Sequence, residues 1–322
     1  MIDGIRISKQ LPNDKINYSS LEHISSGQYG DRYRLKVYSN AKYNGNSPIV
    51  TITSRDKLII KGSLPYLIND NNIVPFSKDE IKGAFEDLSN RLGIELNEAI
   101  VNNFEFGVTV IVPFSFKEFI HHHRDLSKMD SSAYGNKGKY FQNKNIRIKL
   151  YDASRNAKYK LSRPVRQNLS KSGKYDEKSN YVKFEIQYKN PIKRFGQVIT
   201  VGDLIDPDFL WVCGEELLDT YRKIRKTGFT IPKTAKELTT PKILAIALKE
   251  MEQLADCDAE KLVEEKIKIL GLLKNWQKYD RRKSIKKAFR NLTLGSESPY
   301  DISNLLEEAI IKYLQEGRTV DT

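Results

Sequence analysis

Three acidic residues interrupt stretches that otherwise read as apolar β-strand. Glu105 lies within residues 104–112, Glu185 within residues 182–186, and Asp152 follows residues 146–151. Strand alternation puts Glu105, Gly107 and Thr109 on one face. It does the same for Tyr181, Lys183, Glu185 and Gln187. If these strands are neighbours, their carboxylates converge and offer Mg²⁺ or Mn²⁺ the hard oxygen ligands it prefers. Such an ion polarises a phosphate oxygen during transesterification. The same pattern also fits acids that pair with nearby lysines on a solvated sheet face.

Seventeen tyrosines supply candidate nucleophiles, and Tyr134 and Tyr140 share one Ser-, Gly-, Asn- and Lys-rich stretch over 130–145, which reads as a loop. A phenol close to cations or a metal attacks a phosphodiester more readily. Tyrosines in basic loops also stack on bases or cover a core. His121, His122 and His123 adjoin, but the pattern over 116–126 is helical, where positions 121 and 123 diverge. A helix surface or core edge suits them better than a metal site. No P-loop, GxGxxG or Ser-His-Asp signature is present, so nothing supports ATP-driven or acyl-transfer chemistry.

Charge points to the partner. The chain of 322 residues has a net charge of +13, and residues 137–194 hold 17 Lys or Arg against four acids, so the remainder is balanced. Lys137, Lys139, Lys144 and Arg147 open this segment. A second basic cluster over 274–290 includes Arg281, Arg282, Lys286 and Lys287. Positive potential concentrated in this way attracts polyanions, and these cations are candidate nucleic-acid contacts.

The elements that must position these groups are readable in part. Residues 32–38 alternate as a half-buried strand, and 49–53 with 57–62 read as a hairpin. Ser77 and Glu80 form a capping-box pattern ahead of Ile81, Phe85, Leu88 and Leu92, and Gly93 ends that helix. Strands are expected over 104–112, 146–151 and 181–188, with a basic polar stretch between the last two. From about 201 the periodicity turns helical, over 204–227, 241–254, 258–279, 281–291 and 302–316. The expected fold is α+β, an antiparallel sheet with flanking helices followed by an all-helical C-terminal region. The expected domains are 1–205 for DNA nicking or binding and 206–322 for DNA binding or assembly.

Mean hydropathy is −0.54, and no apolar run approaches the roughly 20 residues of a membrane helix. The first residues show no signal-peptide design. Cys213 and Cys257 have no zinc spacing. A cytoplasmic protein with no membrane partner is expected.

Four short stretches in order resemble the phage and plasmid replication initiators related to the filamentous-phage replication protein, especially Bacteroidetes-type members. Residues 60–64 (IKGSL) resemble that family's GSL segment, and 102–108 (NNFEFGV) its N-N-L-E-F-G-V strand. Residues 138–140 (GKY) and 148–152 (IKLYD) resemble its Gly-x-Tyr loop and I-K-x-Y-D. Residues 183–186 (KFEI) and 200–204 (TVGDL) resemble R-F-E-I followed by T-x-x-D-L. Where the family has His after Gly-Ser-Leu, this chain has Pro65, and Ala153 stands where Lys follows Tyr-Asp.

The resemblance implies a rolling-circle initiator that nicks and rejoins single-stranded DNA or an origin hairpin, leaving a 3′-hydroxyl primer. It implies Mg²⁺ or Mn²⁺ at Glu105 and Glu185, Tyr140 as nucleophile with Tyr134 and Tyr151 in reserve, and Lys149 and Lys183 facing phosphate. A second copy of the chain and a host helicase are the further implied partners. Two other readings stay open: a non-catalytic origin or operator binder, and an RNA-binding protein.

Overall fold

The alternating segments pair into one sheet of ten strands, all antiparallel to their neighbours, in a computed structural model that describes residues 2–11, 16–36, 48–226, 277–284 and 300–315. In chain order the strands are β1 (Ile2–Gln10), β2 (Leu21–Gly27), β3 (Gly30–Leu35), β4 (Ile49–Thr53), β5 (Lys57–Ser63), β6 (Ile100–Val112), β7 (Asp130–Ala133), β8 (Gly138–Gln142), β9 (Ile146–Asp152) and β10 (Asn180–Tyr188). Across the sheet they run β2-β3-β4-β5-β1-β6-β10-β9-β8-β7. The fold is α+β, an antiparallel sheet with flanking helices, as the sequence predicts.

One sheet face is apolar and makes the core. Phe104, Phe106 and Val108 on β6, Phe184, Ile186 and Tyr188 on β10, and Ile148 and Leu150 on β9 are all fully buried. Over them lie α8 (Pro207–Lys223) and the helix Ser303–Gln315. These two helices approach closely at Gly214, where an added Cβ would come within 2.7 Å of Ile310. The Tyr313 ring meets Phe106 edge-on, and the Tyr221 ring meets Phe184 in the same way.

Helix α2 (Lys78–Leu92) starts where the capping box predicts. The Ser77 hydroxyl accepts from the Glu80 amide, while a Glu80 carboxylate oxygen accepts from the Ser77 amide. Gly93 closes it in the left-handed conformation at φ 69°. Short helices α1 (Leu64–Asn69), α3 (Phe116–His122), α6 (Pro191–Phe195) and α7 (Val201–Ile205) fill the connections.

Two stretches differ from their predicted form. Residues 130–145 make the β7–β8 hairpin and its turn into β9 instead of an open loop. The basic stretch after β9 folds into α4 (Ala153–Lys160) and α5 (Arg163–Lys171). Ala153, Ala157 and Leu161 recur one helical turn apart and pack into a small cluster with Tyr66, Ile73, Tyr175 and Tyr181. So few apolar residues among so many cations hid this periodicity.

A second compact unit comprises His122–Arg124 and Arg225–Asp301. Within it the His122 ring stacks on Tyr300 at 4.1 Å, His123 bridges to Lys226, and Lys226 pairs with Asp301 at 3.3 Å. Residues 277–284 are helical, and Arg281 is exposed there. The predicted helix 241–254, most of 258–279 and 281–291, and the candidate contacts Lys286 and Lys287 lie outside the described residues.

Candidate acidic site and basic cavity

Register assembles the site. Across β6, β10, β9 and β8, antiparallel pairing lines up Gly107, Glu185, Lys149 and Tyr140 in one row. The next row holds Glu105, Gln187, Arg147 and Gln142. The row on the other side holds Thr109, Lys183, Tyr151 and Gly138. Because side chains alternate, all twelve positions share the face opposite the core. Hence residues 80 positions apart in the chain become neighbours without any loop having to carry them.

Asp3, Glu105 and Glu185 each bring a carboxylate oxygen within 4.8 Å of the others. They sit on β1, β6 and β10, three adjacent strands in the middle of the sheet. Two lysines thread between them. Lys149 Nζ donates to Glu105 Oε1 at 2.7 Å and to Glu185 Oε1 at 2.8 Å. Lys183 Nζ donates to Asp3 Oδ2 at 2.5 Å and lies 3.3 Å from Glu185 Oε2. Tyr151 donates its hydroxyl to Glu185 Oε2 at 3.1 Å. Ser63 and Asn72 donate to the two Asp3 oxygens at 2.5 and 2.9 Å.

Two glycines make room for these acids. A Cβ on Gly4 would fall 3.1 Å from the Glu105 carboxyl carbon, and one on Gly107 would fall 2.3 Å from the Glu185 Cβ. Both clearances are tighter than ordinary van der Waals contact.

Three carboxylates face two ammonium groups, and the titrations follow from that imbalance. Burial, then the charge of Glu185, pushes Glu105 up to about 7 despite Lys149. Burial also opposes ionisation of Asp3, but the Lys183 ammonium and three hydrogen bonds outweigh it and bring Asp3 down to about 2. Glu185 likewise stays low, because Lys183 and Lys149 overcome its burial. Both lysines are raised: burial disfavours their charge, but Glu185 and Glu105 at Lys149, and Asp3 foremost at Lys183, more than compensate. Burial and then Glu185 lift Tyr151 well above the ordinary phenol range.

The donor set fits a divalent cation. Its ligands would be hard carboxylate oxygens, and Glu105 carries the charge that the lysines leave uncompensated. Asp3 and Glu185 are almost fully buried, whereas Glu105 is the most open of the three.

The acids form part of the lining of a cavity of about 1140 Å³. Arg6, Arg32, Lys61, Lys137, Arg147, Lys160 and Lys189 also line it, and its only acids among the described residues are those three. Tyr66, Tyr134, Tyr140 and Tyr151 line it as well. Tyr140 is half-buried, its ring 5.8 Å from the Arg147 guanidinium and 6.0 Å from the Tyr134 ring. Tyr134 is 57% exposed, and Lys137 Nζ sits 5.7 Å from its ring centre.

Not every sequence candidate joins this group. Asp152 caps α4 instead, where its Oδ1 accepts from the Arg155 amide at 2.8 Å. Lys183 is buried against Asp3 and Glu185. Lys139 pairs across the strand with Leu150 on the opposite sheet face, its Nζ 5.6 Å from the Phe141 ring centre. Lys144 is exposed at the β8–β9 turn. Pro65 is buried in the first turn of α1.

Sequence reasoning missed Asp3. Its Asp-Gly pair reads as a turn, and it stands where β1 shifts register against β6, out of step with Ile5 and Ile7. A usable signal was nearby: Ser63, in the Gly-Ser-Leu segment, is one of the donors that fix it.

No protein-family model and no curated protein matches the chain. Among solved structures, the rolling circle replication initiator protein from Geobacillus stearothermophilus is similar over 73% of this chain and 88% of that one. The identity is 12% and the TM-score 0.35, a remote likeness that says nothing about residue roles. No helix among the described residues is long and apolar enough to cross a membrane.

Proposed function

We propose that this chain binds DNA in the basic cavity and nicks and rejoins one strand, as a replication initiator does, through Tyr140. The observation that carries this reading is the row Tyr140, Lys149, Glu185. It sets a phenol, an ammonium and a buried carboxylate on neighbouring strands of one face, inside a cavity with a cationic wall.

The Tyr140 phenol loses its proton to solvent as its oxygen attacks phosphorus, the bond from phosphorus to the 3′ oxygen breaks, and the leaving oxygen takes a proton from solvent, which gives a phosphotyrosine link and a 3′-hydroxyl. The phosphotyrosine link keeps the bond energy for rejoining. Arg147 and Lys149 put positive charge beside Tyr140, where a phosphate drawn alongside needs it. Tyr151 suits a holding role: its proton is bound tightly and its hydroxyl orients Glu185. Tyr134 is the second nucleophile candidate. Asp3, Glu105 and Glu185 would hold Mg²⁺ or Mn²⁺, which when bound supplies Lewis-acid polarisation of a phosphate oxygen. Lys149 bridges two of those carboxylates and would be the cation that such an ion competes with. A second copy of the chain and a host helicase would be partners of such an initiator, working in the cytoplasm.

Incubation with single-stranded DNA carrying a candidate origin, in Mn²⁺, should leave a covalent adduct on a denaturing gel. Tyr140→Phe should abolish it and Tyr151→Phe should retain it. An undiminished adduct in Tyr140→Phe removes that nucleophile.

One observation favours a second reading. Lys149 and Lys183 between them already contact all three carboxylates, as in a purely structural ion cluster. A DNA binder that does not cut would show salt-sensitive binding with no adduct and no response to Mn²⁺.

A further inference from the structure

Between β9 and β10 the chain leaves the sheet for α4 and α5. From residue 153 to residue 175 it contains seven Lys or Arg and no acid. This insert is anchored. Ala153, Ala157 and Leu161 tie α4 to Tyr66 and Tyr181, and Val165 and Leu169 pack α5 onto the same cluster.

Among the described residues, nothing buries the rest of α5. None of its residues is buried, and its outward side carries Arg163, Gln167 and Lys171, each one turn from the next. All three are exposed, and among the described residues neither cation has an ion-pair partner, unlike Arg166, which lies 3.5 Å from Glu177. Val165 and Leu169 fall on the opposite side of the helix. A solubilising surface would normally mix charges of both signs, whereas this one carries cations and no acid.

We propose that α5 is a duplex-DNA-reading helix, distinct from the cavity, that enters the major groove beside the strand being handled. An α-helix with its side chains is about 10–12 Å across, which fits a major groove about 12 Å wide, and nine residues at about 1.5 Å each give roughly 13 Å of helix to lie along it. Its outward residue types suit the task. Arg and Lys pair with guanine edges or phosphates, and Gln and Asn pair with adenine edges. Lys160, at the end of α4, lines the cavity, so the insert reaches from the groove-reading helix to the cavity wall. The assignment shares with the proposed function only that the partner is DNA, and it requires no cutting.

The test uses the full chain, a labelled DNA duplex of about two helical turns in a random-sequence pool, and a single strand of equal length. Arg163→Ala with Lys171→Ala should weaken duplex binding by about tenfold or more, with single-strand binding within about twofold. The salt slope for the duplex should flatten by about 2, near 0.9 for each cation removed. Gln167→Glu alone, at an exposed helical site, should also weaken duplex binding and erase any sequence enriched from the pool by the parent protein. Thermal unfolding of each variant should match the parent. Duplex affinity is read by binding alone, with no adduct required, so a failed nicking assay does not touch this assignment. Equal weakening on duplex and single strand, no weakening on duplex, or tighter binding to an RNA duplex would overturn it.

Discussion

Gly107 and Glu185 oppose each other across the β6–β10 ladder so closely that a Cβ on the glycine would lie 2.3 Å from the glutamate Cβ. The carboxylate occupies that position only because its neighbour has no side chain. Gly107→Ala should therefore cost on the order of 1–3 kcal/mol, the usual penalty for overpacking. It should also displace Glu185 from Lys149. Urea unfolding reads the first effect, and loss of Mn²⁺-dependent stabilisation reads the second. An alanine variant as stable and as metal-responsive as the parent would contradict the packing.

Metal should act on folding before it acts on chemistry. Mn²⁺ at about a hundred times its Kd should stabilise the native state by roughly 2.7 kcal/mol, provided it binds only the folded chain. Glu185→Gln and Asp3→Asn should each remove most of that gain, whereas Asp152→Asn should not. A thermal shift with Mn²⁺ that survives both site substitutions would place the ion elsewhere.

The acids should also give the metal-free protein a pH signature. Glu105 is raised from its ordinary value of 4.5 to about 7, chiefly by burial and then by Glu185. A group raised in the folded state stabilises fully below its unfolded value, and that contribution fades as pH climbs through the folded one. Stability should fall between about pH 4.5 and 7, by at most about 3–4 kcal/mol at 1.36 kcal/mol per unit. Asp3 works in the opposite sense. Lowered to about 2, it contributes above its ordinary value near 3.8 and stops contributing as pH falls through 2. Glu105→Gln should erase the neutral-side decline and be the more stable protein at pH 8. A decline that persists in this variant belongs to another group.

Lys183 is buried against two carboxylates, so its removal strands their charge. Lys183→Met should destabilise by about 3–5 kcal/mol. Adding Asp3→Asn should recover part of that loss, because one of the two stranded charges goes with it. Chemical unfolding of the four proteins of this cycle measures the coupling. Strictly additive losses would mean that Lys183 does not act through Asp3.

What was legible in the sequence was the part governed by local rules. The period-two pattern revealed β6, β9 and β10, and Ser77, Glu80 and Gly93 marked both ends of α2. Glu105 and Glu185 stood out because charge inside an apolar strand is costly unless something answers it. The answering groups were harder to find. The family resemblance implies that Lys149 and Lys183 face phosphate, and cations in a basic segment look alike until strand register pairs them with acids. Asp3 was invisible for a related reason: its partners lie 60 to 182 positions away in the chain. Asp152 ends an apolar strand, a place that suits a metal ligand, yet the backbone turns into α4 at that point and uses it as a cap. The α4–α5 insert escaped because two alanines and a leucine make a faint stripe among seven cations.

The order of strands also sets how freely each reacting group moves. Asp3, Glu105 and Glu185 stand on the three central strands, hydrogen-bonded on both sides. Tyr140 stands on β8, held against the rest of the sheet by β9 and bordered outwardly only by the short, exposed strand β7. Local opening costs least at a sheet margin and most at its centre. The molecule thus sets a central group of acids on the same sheet face as a phenol that stands nearer the sheet margin. In the proposed nicking reaction, that placement would give the tyrosine slack to follow a strand end while the acids stay in place.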